Sequence, residues 1–201
     1  MIKVSKLKKY YGKKLILDIP NFIFEKGKIY SVVGKNGAGK STFIKILSGI
    51  VSLDEGKLEI DKENIILSPQ EPMFFKGDVW YNLTEPFKLC KKKISTNKLE
   101  ELLNRFEIDS LKKSSVNSLS GGEKAKVQFI RTILYDKNCI FLDEPTASID
   151  KKSSFIVEEI LLELKKIGKL IIIITHDQDQ ARRISDEILE VDEAKLLKRG
   201  T

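Results

Sequence analysis

Between Gly34 and Thr42 the chain reads Gly34-Lys35-Asn36-Gly37-Ala38-Gly39-Lys40-Ser41-Thr42: a glycine, four residues, then glycine, lysine and a hydroxyl residue. Few local sequences constrain a fold as tightly. Phosphate oxygens need a ring of backbone N–H donors, and glycines let the main chain wrap that closely. Lys40 can reach the β and γ phosphates of a nucleoside triphosphate, and the Ser41 hydroxyl can ligate Mg²⁺. The flanks agree with this reading. Ile29, Tyr30, Val32 and Val33 read as a buried strand entering the loop. Phe43, Ile44, Ile46 and Leu47 suit a helix that starts near Lys40 and points its positive end at the same phosphates.

At 201 residues, 41% hydrophobic and 32% charged, the sequence has the length and balance of one globular domain. The longest aliphatic run, Leu170–Ile174, is far too short to cross a bilayer. No apolar stretch follows Met1-Ile2-Lys3, so nothing suggests secretion. Two cysteines, Cys90 and Cys139, are expected as reduced thiols, and with one histidine they make a zinc cluster improbable. The formal charge of +7 is spread over scattered lysines, apart from Lys91-Lys92-Lys93. A solvated surface explains it, and so does attraction to an anionic membrane face or to nucleic acid.

In chain order, Ile2–Val4, Leu15–Leu17 and the Phe22/Phe24 pair read as short strands ahead of the loop. Tyr11, next to Gly12, is either an edge-strand tyrosine or an aromatic that stacks on a purine. Asp54-Glu55-Gly56 marks a turn before a strand at Leu58–Ile60, and Ile65–Leu67 forms another that leads to Gln70. Pro69, Pro72 and Pro86 then break the pattern, and Leu99, Leu102, Leu103 and Phe106 recur at helical spacing. Residues 71–118 are therefore expected as a helical insertion.

Three further stretches carry chemistry. Ser120-Gly121-Gly122 opens a helix and is either an ordinary helix start or a second anion site. Cys139–Leu142 reads as a buried parallel strand that delivers Asp143 and Glu144 to the sheet edge where α/β proteins bind ligands. There Asp143 can hold Mg²⁺ and Glu144 can polarise water. Leu170–Ile174 delivers Thr175-His176-Asp177 to that edge, with Asp177 suited to cap a helix through Ile184. A final strand, Ile188–Val191, is expected to close the sheet.

These residues in this order resemble the ATP-binding cassette (ABC) ATPases over nearly the whole chain. Tyr11 matches the adenine-stacking aromatic, Gly34–Thr42 Walker A, Gln70 the Q-loop glutamine and Leu119–Glu123 the signature. Ile140–Glu144 matches Walker B with its catalytic glutamate, Ala147–Asp150 the D-loop and His176 the switch histidine. Glu123 departs from the usual signature glutamine, and the stretch from Gly56 to Gln70 is shorter than in many members.

The resemblance implies an α/β P-loop NTPase (RecA-like) core with a trimmed antiparallel β-subdomain and a helical insertion. Residues 1–70 and 119–201 then form the core with its β-subdomain, and 71–118 the helical subdomain, all in one domain. It implies ATP and Mg²⁺ as cofactors. Gly34, Asn36, Gly37, Ala38, Gly39, Lys40, Ser41 and Thr42 hold the phosphates, while Ser41, Gln70 and Asp143 serve the metal. Lys40, Gln70, Glu144 and His176 serve catalysis. Ser120, Gly121 and Gly122 close the site of a second cassette subunit. It further implies transmembrane permease subunits gripped around Glu71–Tyr81, a substrate-binding protein in some systems, and a peripheral position on the cytoplasmic face of the membrane. A soluble ABC ATPase acting on DNA or ribosomes is the other class open to this sequence, and only the basic charge favours it. Gln70–Phe75 with Val79–Leu83 is loosely similar to cassettes of oxyanion importers, such as those for tungstate or phosphate.

Overall fold

The computed structural model describes residues 1–199. Its centre is a six-stranded sheet made of β4 (Ile29–Val33), β6 (Ile65–Ser68), β7 (Cys139–Asp143), β8 (Leu170–Ile174), β9 (Glu187–Asp192) and β10 (Lys195–Arg199). The order is β10-β9-β4-β8-β7-β6, every pair being parallel except β10 with β9. All five residues of β4, β7 and β8 are buried, as a sheet covered on both faces requires. Side-chain alternation divides these strands between two cores. Ile140, Leu142, Ile171 and Ile173 pack with α4 (Gly121–Leu134), α5 (Lys151–Lys166) and α6 (Gln178–Ile184). Phe141, Leu170, Ile172 and Ile174 pack with Phe43, Ile44 and Leu47 of α1 (Lys40–Leu47) on the other face.

The second core is closed by a smaller antiparallel sheet. Its spine, β1 (Ile2–Tyr11), pairs with β2 (Lys14–Ile19) and β3 (Phe22–Phe24) along one side and with β5 (Glu55–Glu59) along the other. The first core is extended by α2 (Val79–Leu89) and α3 (Thr96–Arg105), which bury Val79, Leu83, Phe87, Leu99, Leu102 and Leu103 beside α4.

Three expectations change. Glu55 and Gly56, expected in a turn before a strand at Leu58–Ile60, are the first residues of β5, which ends at Glu59. Ile188–Val191 does not close the sheet: β9 lies between β4 and β10, and β10 is the edge strand. The β9–β10 turn carries no glycine or asparagine, because Glu193 and Ala194 themselves adopt φ of 44° and 68°. The usual hairpin signal is therefore missing from the sequence. Pro86 does not break the helix but sits inside α2. Its ring is buried, which offsets the lost i→i−4 hydrogen bond.

The link from β6 to α2 has almost no regular structure, and one side chain organises it. Asn82 is fully buried; its Oδ1 accepts from the Phe75 N–H at 2.8 Å, and its Nδ2 donates to the carbonyls of Phe75 (3.0 Å) and Asp78 (2.9 Å). Asn82→Leu keeps the branched shape but strands the Phe75 N–H and carbonyl, so it should cost about 1–3 kcal/mol in urea unfolding. Hydrogen exchange should accelerate at 73–78 ahead of the rest of the chain. Protection unchanged there would show that another contact fixes the segment.

Candidate active site

Four of the parallel strands end side by side. In register, Val32 of β4 pairs with Ile174 of β8, Ile174 with Asp143 of β7, and Leu142 of β7 with Ser68 of β6. Their next residues are the phosphate loop, Thr175-His176, Glu144 and Pro69-Gln70. Pairing alone therefore gathers Lys40, Asp143, Glu144, His176 and Gln70, which lie up to 136 residues apart in sequence, at one sheet edge.

The loop Gly34–Gly39 leaves β4 and turns into α1. A Cβ on Gly34, where φ is 144°, would lie 2.4 Å from the Val191 carbonyl oxygen, so only glycine fits between β4 and β9. Asn36, Gly37 and Ala38 follow, and β2 lies alongside the end of the loop, where a Cβ on Gly39 would come 3.2 Å from atoms of Ile16 and Leu17. α1 differs from every other α-helix. Asp78, Ser95, Ser120, Asp150 and Asp177 cap α2 to α6 through their side chains, whereas α1 has no side-chain cap. Its first N–H groups, including those of Ser41 and Thr42, are left for an anion.

Lys40 is buried, and its Nζ donates to the carbonyls of Gly34 (2.8 Å) and Lys35 (3.0 Å). Burial lowers its pKa, while Glu144 and Asp143 pull it back up. Asp143 is also buried, and its Oδ1 has no hydrogen-bond partner in the protein. Burial raises its pKa; the Ser41 hydroxyl opposes that shift and the charge of Glu144 adds to it. An unpartnered carboxylate oxygen beside a hydroxyl is the donor set that a hard cation such as Mg²⁺ takes.

Glu144 is held from three sides. Gln70 Nε2 donates to Oε2 at 3.2 Å, His176 Nε2 lies 2.9 Å from Oε1, and its own N–H donates to the Ile174 carbonyl at 3.0 Å. Its φ of 51° puts a non-glycine residue in the left-handed region, at a cost of about 1–3 kcal/mol. That backbone turn stands the carboxylate out of the strand, between Gln70 and His176. Tyr11 lies at the tip of the β1–β2 hairpin, 54% exposed, with Lys9 Nζ 5.7 Å from its ring centre.

The Ser120 side chain bonds within its own helix start. With Glu123 it forms a capping box: the Ser120 N–H and Oγ donate to Glu123 Oε2 at 2.7 and 2.8 Å, and the Glu123 N–H donates to Ser120 Oγ at 3.3 Å. These bonds hold the Glu123 carboxyl below its ordinary pKa. Gly121 shares a crevice with Gln70, Asp143 and Glu144, while Gly122 packs on the loop beyond Glu144, where a Cβ would come 2.8 Å from the Ser148 carbonyl oxygen. One helical turn on, Lys126 pairs with Asp150 at 3.0 Å. Bonds from Ser153 and Lys126 hold Asp150 far below the usual carboxylate range.

Sequence reasoning missed several polar residues around the site. Gln128 donates to Ser68 Oγ (3.1 Å) and to the Pro69 carbonyl (2.5 Å), and Arg131 donates to the Met73 carbonyl at 2.6 Å. Their i,i+3 spacing on α4, facing the Q-loop side, was the available signal. They help line a cavity of about 600 Å³ with Ile66, Met73, Phe74 and Phe75.

This arrangement matches a known family. The model for "ABC transporter" covers residues 17–147. The chain belongs to the ABC transporter family. It is 36% identical over 205 residues to the tungstate uptake system ATP-binding protein of Peptoclostridium acidaminophilum, covering 97% of this chain and 96% of that protein. It is 33% identical over 202 residues to an uncharacterised ABC transporter ATP-binding protein of Methanocaldococcus jannaschii, covering 99% of this chain and 77% of that one. In fold it is similar to a dimeric ATP-binding cassette solved with ADP and phosphate, with a TM-score of 0.88, 23% identity and full coverage of both chains. The ABC protein is an ATPase that binds ATP and couples its hydrolysis to transport. Membership sets aside the soluble class acting on DNA or ribosomes. Among the described residues no helix is long and apolar enough to cross a membrane.

The burial of Asp143 predicts a trade between stability and ligand binding. Asp143→Asn removes a charge held in an apolar strand end, so the nucleotide-free protein should melt a few degrees higher at neutral pH, the scale on which about 1 kcal/mol registers in a chain this size. The further rise in melting temperature given by Mg²⁺ with ATP should shrink. An unchanged or lowered melting point without nucleotide would mean that the Asp143 charge is compensated in the fold.

Proposed function

We propose that this chain is the ATPase subunit of an uptake system for a tetrahedral oxyanion, with tungstate the first candidate. The observation that carries the reading is the end-to-end likeness to the tungstate uptake ATP-binding protein. In this reading two copies of the chain form a sandwich around two ATP molecules at the cytoplasmic face of the membrane, and permease subunits supply the pathway.

The residues divide the work by position. The uncapped start of α1 and the loop amides from Gly34 to Gly39 bind the phosphates, and Lys40 exchanges its two loop carbonyls for β and γ oxygens. Ser41, Asp143 and Gln70 hold Mg²⁺, which when bound neutralises charge on the phosphates. Glu144 orients the attacking water, with Gln70 and His176 fixing the direction of its carboxylate. His176 also contacts the γ-phosphate as charge develops there. Tyr11, at the exposed hairpin tip, stacks on adenine. Ser120, Gly121 and Gly122 serve the partner copy's nucleotide.

The helical subdomain, residues 71–118, carries the permease contact. The apolar cavity under Met73, Phe74 and Phe75 suits that role, because its wall is continuous with Gln70 at the catalytic edge. Movement of the segment then reaches Glu144 through one side chain.

Glu144→Gln should bind ATP without turning it over. Unhydrolysed ATP should then join two chains, so light scattering after size exclusion should give a monomer without nucleotide or with ADP and a dimer with ATP. Adding Ser120→Arg should abolish the dimer and leave monomeric ATP binding intact. A double variant that still dimerises would remove the signature from the interface, and one that no longer binds ATP would place it at the chain's own site.

Cargo is tested with the permease and its binding protein reconstituted in liposomes. Tungstate should raise ATP turnover severalfold and accumulate inside, with phosphate ineffective. Stimulation by a non-oxyanion cargo alone would overturn the assignment.

A further inference from the structure

Beneath the catalytic edge lies a buried polar cluster to which no role has been given. Asp177-x-x-Gln180 has the form of a capping box, and the Gln180 N–H does donate to Asp177 Oδ1 at 2.9 Å. The Gln180 side chain does not reach back to the helix start, however. It turns inward and is fully buried. Its Oε1 accepts from Thr175 Oγ1 at 2.9 Å and from Thr146 Oγ1 at 3.2 Å. Its Nε2 faces Glu158 Oε1 at 3.3 Å and Ser154 Oγ at 3.4 Å, both on α5. Glu158 is buried too and is clamped by Arg183 through bonds of 3.0 and 2.7 Å.

The two threonines are what make the cluster informative. Thr175 immediately precedes His176, and its Oγ1 also accepts from the Asp177 N–H at 3.1 Å. Thr146 lies two residues after Glu144, in the turn closed by the Ala147 N–H to the Glu144 carbonyl at 3.3 Å. One amide oxygen therefore joins the loop that carries the carboxylate to the loop that carries the histidine. A hydrophobic residue could fill the space but could not join them. The Arg183–Glu158 pair fixes which way the amide points, because a carboxylate accepts only from its NH₂ side.

We propose that Gln180 is a positioning residue that sets Glu144 and His176 at their 2.9 Å separation through Thr146 and Thr175. The proposal rests on Glu144 and His176 serving hydrolysis, as read above. Gln180 touches no reacting atom. Its effect falls on kcat, because slack between the two loops moves the carboxylate and the histidine apart without disturbing the phosphate loop.

The test uses the purified full chain, with kcat, affinity for a fluorescent ATP analogue and melting temperature read on each variant. Gln180→Leu should lower kcat on the order of tenfold to a hundredfold and leave nucleotide affinity within about threefold. Gln180→Glu keeps the acceptor for both threonines but sets a second carboxylate against Glu158, so it should be similarly impaired. Adding Glu158→Gln returns an NH₂ donor to the pair, and Q180E/E158Q should recover kcat to within about threefold of wild type. A purely structural role would not give that rescue by exchange. Wild-type kcat in Gln180→Leu overturns the proposal. If that variant does not fold, a double variant no better than Gln180→Glu overturns it instead. Glu144→Gln runs alongside as the control: turnover persisting there removes the catalytic reading itself, whereas its loss with normal Gln180 variants removes only the positioning role.

Discussion

Parallel pairing of β4, β8, β7 and β6 is the constraint on which the rest of the structure depends. Because parallel neighbours run the same way, their carboxyl ends share one edge, and the residues that follow them must meet there. The register Val32–Ile174–Asp143 fixes this to within a residue. A one-residue slip of β7 would exchange Phe141 and Leu142 between the two cores and bury Glu144 in place of Asp143. The five buried residues Leu170–Ile174 resist such a slip, since each already lies in one of two filled cores. Core packing and active-site geometry are thus one problem with one solution.

The edge is assembled from groups that the fold leaves in deficit. Asp143 is a buried acid with an unsatisfied oxygen, Lys40 is a buried base bound only to loop carbonyls, and α1 is a helix without a side-chain cap. Glu144 adds strained backbone to the list. Each is unfavourable for stability and is offset by the apolar packing beneath it. A phosphate group complements the uncapped helix start and the Lys40 ammonium together, so binding capacity and deficit coincide at this place in the molecule.

The residues of the candidate site were more legible in the sequence than the architecture around them. The phosphate loop, the Asp143-Glu144 pair and His176 stand out because each follows a run of buried apolar residues, and such runs are visible without a structure. The apolar spacing of Leu99, Leu102 and Leu103 likewise marked α3. Polar residues that act from inside were not visible. Gln180 sits in a capping-box pattern that normally describes an exposed side chain, and Gln128 and Asn82 look like ordinary helix-surface residues until their neighbours are known. β10 was hidden for a different reason. Its sequence, Lys195-Leu196-Leu197-Lys198-Arg199, buries only Leu196, as an edge strand can, and its turn achieves positive φ without glycine.

The internal ties also show which parts of the chain are fastened to one another. α4 is fastened to the loop beyond Glu144 by the close approach of Gly122 to Ser148 and by the Lys126–Asp150 pair, itself strengthened by two bonds from Ser153. The same α4 carries Gln128 and Arg131, which hold Pro69 and Met73 on either side of Gln70. One helix thus grips the loop after Glu144 at its N-terminal end and the segment over the apolar cavity further along. The segment over the cavity is linked to Glu144 through Gln70, and α4 links it to the loop beyond Glu144 through Asp150. Glu144 itself is anchored by its backbone N–H to Ile174, at the end of a strand whose five residues are all buried, so the sheet fixes its backbone while neighbouring side chains fix the direction of its carboxylate.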